Sequence, residues 1–467
     1  MELALRLDPK ASRPLYRQVA EEIRAAILEG RLRPGERLPP SRVLAASLGV
    51  SRVVVTSAYE ELVAEGYLEA WRGSGTYVTR ALAEFPRIAR RPASSQSPPR
   101  EEPASESVVD FVPGRPSVER LHPAAWRRMW RAVAREQPPA GYGDPAGDPD
   151  LRAAIAAYLG RARGVVCTAE DVLITSGAVE AVDLVARAFL KPGDRVAYEE
   201  PGYPAARRVL LSRGLVVDPV PVDDDGIRVD MLPARAAVVY VTPSHQFPLG
   251  GRLPLARRLT LLEWARNAGA LVVEDDYDSE LRFHGPPLPA LAGLDASGRV
   301  LYIGTFSKVL LPGLRVGYLV APPDLRERLM RLREPSESYT PWPVQRALAA
   351  LLRSGDFDRH IRRMRRHYAE LRAALREALS PVEPLARLRG LEAGLHAVLE
   401  LRSDLDAEEV CRCAAERGVR VRTLTPYYLG PPTRTGILLG YGGLSLEDVR
   451  RGAGILAGVI LELARAA

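Results

Sequence analysis

Lysine is almost absent from this chain: 467 residues hold three, Lys10, Lys191 and Lys308, among 65 lysines and arginines. Arginine therefore fills nearly every position where positive charge suffices, and a surviving lysine hints that an amine is needed. A guanidinium keeps its proton in a protein, whereas an amine can become neutral and nucleophilic. Cysteine is equally scarce. Cys167, Cys411 and Cys413 cannot form a disulfide framework, and Cys411-x-Cys413 has no second pair for a zinc site. No metal is expected. No apolar run reaches membrane-spanning length, and the start Met1-Glu2-Leu3-Ala4-Leu5-Arg6 lacks the apolar stretch of a signal peptide. These absences lead us to expect a soluble cytoplasmic protein with reduced thiols and no membrane partner. What is present is ordinary for a globular chain: 46% hydrophobic and 26% charged residues. The net charge of +7 permits a nucleic-acid partner without demanding one.

Residues 81–107 change character, with Arg90-Arg91-Pro92-Ala93-Ser94-Ser95-Gln96-Ser97-Pro98-Pro99-Arg100 offering almost nothing apolar to bury. This Pro/Ser-rich stretch reads as an extended linker between a module at 1–80 and one at 108–467. In the first module Leu15, Val19, Ile23, Ala26 and Ile27 recur at helical spacing until Gly30. Ser41 is placed to cap a second helix through Leu48, Gly49 stops it, and Ser51 starts a third that runs to Gly66. Two short helices joined by Leu48-Gly49-Val50-Ser51 have the turn chemistry of a helix-turn-helix. A hairpin follows, Tyr67 to Trp71 and Thr76 to Val78, with glycines in its turn. The pattern is a winged helix.

The motifs Leu38-Pro39-Pro40-Ser41-Arg42-x-Leu44-Ala45, Leu48-Gly49-Val50-Ser51-Arg52, Ala58-Tyr59-x-x-Leu62-x-x-Glu65-Gly66-Tyr67-Leu68 and Gly73-x-Gly75-Thr76-Tyr77-Val78 resemble the GntR-type DNA-binding domain across residues 13–80. That resemblance implies a third helix in the major groove and a wing on the flanking backbone or minor groove. Arg42, Ser51, Arg52, Thr56, Gly75 and Thr76 are the residues it assigns to DNA. Val54 departs from it, standing where the family often carries threonine.

In the second module short apolar runs alternate with amphipathic stretches. Val172-Leu173-Ile174, Arg195 to Tyr198, Ala237 to Val241, Leu271-Val272-Val273 and Val300 to Ile303 are predicted strands; Val179 to Phe189 and Leu253 to Asn267 are predicted helices. The fold class is α/β, a mainly parallel doubly wound sheet followed from about residue 350 by a smaller α/β unit. Chemistry-bearing groups fall just after the strands. Thr175-Ser176-Gly177-Ala178 opens a helix and offers amides to a phosphate. Glu274-Asp275-Asp276-Tyr277, Lys308 and Arg315 follow at later strand ends. Phosphate cradle, carboxylate, lysine and arginine in this order suggest pyridoxal phosphate: a lysine for its aldehyde, a carboxylate for its ring nitrogen, an arginine for its phosphate.

The set resembles fold-type I aminotransferases, and with the winged helix it is similar to the MocR/GabR family of transcription regulators. Gly141-Tyr142-Gly143-Asp144-Pro145, Pro201-Gly202-Tyr203-Pro204, Thr242-Pro243-Ser244-His245-Gln246-Phe247-Pro248-x-Gly250, Glu274 to Glu280 and Gly304-Thr305-Phe306-Ser307-Lys308 carry this likeness. It implies that Lys308 forms the Schiff base, Asp275 pairs with the ring nitrogen, Tyr277 bonds the ring hydroxyl and Tyr203 stacks on the ring. Ser176, Gly177, Ala178, Thr305, Ser307 and Arg315 would surround the phosphate, and Tyr142 would reach that of a partner subunit in a homodimer. Two positions depart. Phe247 replaces the asparagine that normally contacts the ring hydroxyl, leaving His245 or Gln246 to compensate. Leu438 replaces the arginine that normally holds a substrate carboxylate, leaving Arg420, Arg422 or Arg434 as alternatives. The expected function is a promoter-binding regulator, not an enzyme, that senses an amino compound or pyridoxal phosphate itself. The alternative is an active aminotransferase with an accessory DNA-binding domain.

Overall fold

The computed structural model describes residues 5, 7–8, 13–71, 74–81, 108–283, 289–334 and 339–466. The linker expected at 81–107 falls outside them except for its first residue, as do Lys10 and Gly73 of the wing turn. The chain divides into two compact units, Met1–Pro103 and Ala104–Ala467.

The first unit contains α1 (Leu15–Leu28), α2 (Ser41–Leu48), α3 (Arg52–Ala64), β1 (Leu68–Trp71) and β2 (Gly75–Val78). Val19, Ile23, Ala26 and Ile27 bury one stripe of α1 against Leu44, Val55, Ala58 and Leu62. Gly49 ends α2 in the left-handed region at φ 66°, a conformation that costs glycine little. The Ser51 side chain accepts from the Val54 amide and caps α3. Ser41 differs from expectation: Pro40 holds the cap position, Ser41 is already helical, and its Oγ accepts from Arg52 Nε at 3.2 Å. β1 and β2 pair antiparallel from Leu68↔Val78 to Trp71↔Gly75 and complete the winged helix.

The second unit opens with β3 (Val109–Asp110), α4 (Pro123–Ala134) and α5 (Pro149–Arg163). Its large sheet is built from β4 (Val172–Thr175), β5 (Arg195–Glu200), β6 (Val216–Asp223), β7 (Gly226–Ile227), β8 (Val238–Val241), β9 (Leu271–Asp276), β10 (Val300–Thr305) and β11 (Gly317–Val320). Helices α6 (Ala178–Phe189), α7 (Pro204–Ser212), α8 (Leu255–Ala268) and α9 (Leu291–Leu294) alternate with these strands. The strand order is β4-β11-β10-β9-β8-β5-β6-β7. From β10 to β6 the strands are parallel, whereas β11 runs antiparallel to both neighbours and β7 antiparallel to β6. Parallel strands covered on both faces explain the continuous apolar runs.

Helices α10 (Pro323–Arg333), α11 (Trp342–Arg353) and α12 (Asp356–Leu379) lead to a smaller antiparallel sheet. It comprises β12 (Ala386–Arg389), β13 (His396–Leu401), β15 (Arg422–Thr423) and β16 (Gly436–Gly440), with α13 (Ala407–Glu416) and α14 (Leu446–Ala466) packed nearby. Between them β14 (Val419–Arg420) pairs in parallel with β3, so this layer also takes up the start of the unit. The periodicity of the sequence carried no sign of that return.

Register brings the later strand ends together. Gly304 on β10 lies opposite Asp276 on β9 and Tyr318 on β11, while Gly317 lies opposite both Thr305 and Thr175. The βα turn after β4, the loop after β10 and the approach to β11 thus meet at one edge. Gly317 makes the meeting possible, since a Cβ there would fall 2.9 Å from the Gly177 backbone and 3.0 Å from the Gly304 carbonyl. Replacing Gly317 with alanine is expected to destabilise the unit by about 1–3 kcal/mol through overpacking, read as a lower denaturation midpoint.

Candidate cofactor site and nucleic-acid interface

At that edge lies a cavity of about 430 Å³ whose walls include Gly114, Gly177, Ala178, Tyr203, Asp275, Tyr277, Thr305, Ser307, Lys308 and Arg315. Strand alternation decides what each carboxylate of β9 does. Asp276 is locked away, accepting from Arg163 Nε at 2.7 Å, Ser279 Oγ at 2.8 Å and Tyr302 Oη at 2.5 Å. Asp275 faces the cavity. Its Oδ2 accepts from the Tyr240 hydroxyl, and its buried Oδ1 has no partner. Burial pushes the Asp275 carboxyl up to about 7, against the Tyr240 hydrogen bond and with added repulsion from Asp276. A cationic N–H brought to Oδ1 would satisfy the free oxygen and favour the ionised form.

Lys308 Nζ donates to the Gly114 carbonyl at 3.3 Å. Burial lowers its pKa, while Asp278 and Asp275 oppose that shift, so its amine is easier to neutralise than a surface lysine. Arg315 lines the same wall with φ 51°, the only non-glycine residue in the left-handed region among the described residues. Such backbone strain of about 1–3 kcal/mol persists where the surroundings over-determine a conformation. With Gly177 and Ala178 at the open N-terminus of α6, Arg315 offers a site for a phosphate. A free amine, an unpartnered carboxylate oxygen and an anion cradle in one cavity fit pyridoxal phosphate.

Tyr203 also lines the cavity, its ring 5.6 Å edge-on from Phe247. The Tyr277 hydroxyl lies 3.1 Å from His245 Nδ1. Two expected cofactor residues are not part of the wall: the Ser176 amide is taken by the Glu180 carboxylate, and Tyr142 is 81% exposed. The arginines proposed in place of the missing clamp are also elsewhere. Arg422 pairs with Asp110 at 3.0 Å, Arg434 with Asp224 and Glu400 at 3.4 Å, and Arg420 is exposed on β14. None of the three lines the cavity. Leu438 is fully buried opposite Val398. Among the described residues the arginines lining the cavity are Arg315 and Arg208, and the second was not anticipated. Nor were Gly114, Tyr240 and His396, whose roles depend on neighbours distant in sequence and leave no local motif.

In the first unit Arg42, Arg52 and Val53 are exposed around the helix-turn-helix, with Val53 at 72%. Thr56 Oγ1 donates to the Arg52 carbonyl at 2.9 Å, and Gly75 and Thr76 lie half-buried on β2. Ser51 serves first as the cap of α3. Arg52 and Thr56 share a helix face that a DNA groove can meet.

The family profile for aminotransferase class I and II matches residues 107–451, and that for bacterial regulatory proteins of the gntR family matches residues 15–78. The probable rhizopine catabolism regulatory protein MocR of Rhizobium meliloti is 38% identical, covering 98% of this chain and 96% of that protein. The pyridoxine biosynthesis transcriptional regulator PdxR of Corynebacterium glutamicum is 37% identical, covering 96% of each. Among solved structures, the α-aminoadipate aminotransferase of Thermus thermophilus, complexed with N-(5'-phosphopyridoxyl)-L-leucine, is 31% identical with a TM-score of 0.71, covering 78% of this chain and 94% of that one.

The two aspartates of β9 should respond oppositely to amidation in cofactor-free protein. Asp276→Asn breaks a buried ion pair and is expected to cost about 3–5 kcal/mol. For Asp275 the folded carboxyl titrates near 7 against a reference of 3.8, so the folded state holds its proton longer and the group lowers stability as pH rises between those values. Asp275→Asn should therefore raise the denaturation midpoint at pH 8 and leave it unchanged at pH 3.

Proposed function

This chain belongs to the family of transcription regulators that join a gntR-type DNA-binding domain to an aminotransferase class I and II domain, and from that premise we propose that it switches promoter binding in response to a small amine or to pyridoxal phosphate itself. The observation that carries the reading is Lys308 in one cavity with the unpartnered Oδ1 of Asp275, in a chain that also holds a winged helix. Bound pyridoxal phosphate supplies an aldehyde that couples to a primary amine. Lys308 presents that amine from a buried site that weakens its hold on a proton. Asp275 Oδ1 would accept the proton of the ring nitrogen, and Tyr277 would bond the ring oxygen. The amides of Gly177 and Ala178, with Thr305, Ser307 and Arg315, would bind the phosphate, and Tyr203 would cover the ring.

On the DNA side, Arg52 and Thr56 of α3 would enter the major groove, Arg42 would meet phosphate, and Gly75 with Thr76 would bring the wing close to the backbone. Ser51 would hold α3 at its start. The exposed ring of Tyr142 supports a homodimer in which it reaches the partner's phosphate site, and paired half-sites follow from such symmetry. A promoter-binding role would put the protein in the cytoplasm. A second reading, slow amino-group transfer, draws support from the intact Lys308 and Asp275. Leu438, buried and uncharged, argues against efficient turnover of ordinary amino acids, because it cannot hold a carboxylate.

Purified protein loaded with pyridoxal phosphate is expected to absorb in the near-visible range, and borohydride to fix the cofactor on Lys308. Lys308→Arg should abolish both signals while keeping the charge. Specific promoter fragments recovered from genomic DNA should change affinity when the cofactor, alone or with an amine, is added. Only nonspecific DNA binding would defeat the regulator reading, and turnover of tens per second with a natural amine would favour the enzyme.

A further inference from the structure

With Phe247 in place of a polar side chain, the cavity needs another source for the hydrogen bond at the cofactor's ring oxygen. Phe247 supplies none: its ring is packed edge-on against Tyr203, Tyr277, His396 and Tyr427. Gln246 is turned away, donating to the Pro201 carbonyl at 2.8 Å and the Phe247 carbonyl at 2.7 Å while its Oε1 accepts from the Leu249 amide at 3.1 Å. His245 points the other way. Its Nδ1 lies 2.8 Å from Asp278 Oδ2 and 3.1 Å from the Tyr277 hydroxyl, and its Nε2 lies 3.3 Å from the Gly390 carbonyl. A carbonyl only accepts, so Nε2 carries a proton. A bare Nδ1 would then set its lone pair against the carboxylate, whereas a protonated Nδ1 bonds both Asp278 and the phenol oxygen. In that arrangement the phenol's own proton is left to point into the cavity, which Tyr277 lines.

We infer that His245 and Asp278 are positioning residues, acting through Tyr277 so that its hydroxyl donates to the ring oxygen of pyridoxal phosphate. The inference rests on the cofactor reading above. The surroundings fit it. Burial alone would lower the His245 pKa, but Asp278 raises it above the ordinary histidine value, with the Gly390 carbonyl and Glu392 adding to the rise. His396, with its ring 4.9 Å away, is pushed well down by burial and by His245, so it adds no competing charge. Asp278 also feels Lys308, which favours its ionised form, and Asp276, which opposes it. The pair is also sealed by the chain before β13: a Cβ on Gly394 would fall 2.2 Å from Asp278 Oδ2 and 2.6 Å from His245 Cε1. No side chain fits there, so the ring cannot be displaced by a larger residue without breaking the hydrogen bonds.

The test compares holo-protein of wild type, His245→Phe, Tyr277→Phe and the double variant, with Asp278→Asn in reserve should the ring replacement fail to fold. Two quantities are read: the pH at which the bound cofactor changes colour, and its dissociation constant by equilibrium dialysis. A donor at the ring oxygen drains negative charge that otherwise retains the nearby proton on the Lys308 linkage. Losing it should raise the colour transition by about one pH unit and weaken affinity by about tenfold. His245→Phe and Tyr277→Phe should each produce this shift, and the double variant should add nothing further, because both act on one hydrogen bond. Unchanged values in His245→Phe, or additive shifts in the double variant, would overturn the inference. Wild-type protein that takes up no cofactor would instead remove the reading on which it rests.

Discussion

Asp275 keeps one carboxylate oxygen on the Tyr240 hydroxyl and leaves the other without a partner in a fully buried wall. A protein that buried this group for packing alone would gain by replacing it, since unpaired buried carboxylates are expensive. The surrounding structure carries that cost. Tyr240 lies 4.8 Å from Tyr198 with the rings stacked, which fixes the one bonded oxygen. Next in the chain, Asp276 also has an unpartnered Oδ1, but three bonds to its Oδ2 from Arg163, Ser279 and Tyr302 hold it out of the cavity wall, which leaves that place to Asp275. The free oxygen is therefore held facing a cavity that also presents an amine.

The rest of the site follows from how closely the neighbouring strand ends approach. Gly317 lets β10, β11 and the turn after β4 come within backbone contact, and Gly304 leaves room for the Tyr318 ring. Arg315 enters this crowded edge in a conformation that few arginines adopt, and its guanidinium then faces the start of α6. The loop between β10 and β11 carries both Lys308 and Arg315, and the close approach of these strand ends to the start of α6 sets lysine, arginine and helix amides around one cavity.

Legibility differed between the two sides of this cavity. Lys308 stood out because arginine had displaced lysine nearly everywhere else, and Asp275, Tyr277 and Arg315 followed from motifs that span a few residues after each strand. Tyr240 and Gly114 were not legible: one lies in an ordinary apolar strand and the other in a loop nearly two hundred residues before the lysine it touches. The substitutes sought for the missing carboxylate clamp were misplaced for the same reason. Arg422 and Arg434 stand close in sequence to Leu438, but their side chains find carboxylates on other elements.

Composition and short-range pattern alone determined the two-part organisation, the winged helix, the α/β class and the identity of the amine, because each depends on periodicity or on a few adjacent residues. Tertiary structure decided that Asp275 keeps one oxygen unpartnered, that His245 rather than Gln246 meets the Tyr277 hydroxyl, and that Arg208 joins Arg315 in the cavity wall. Those choices rest on strand alternation and on hydrogen-bond partners brought in from distant segments. A side chain's direction is set by what it meets across the fold, and that information is spread over the whole chain.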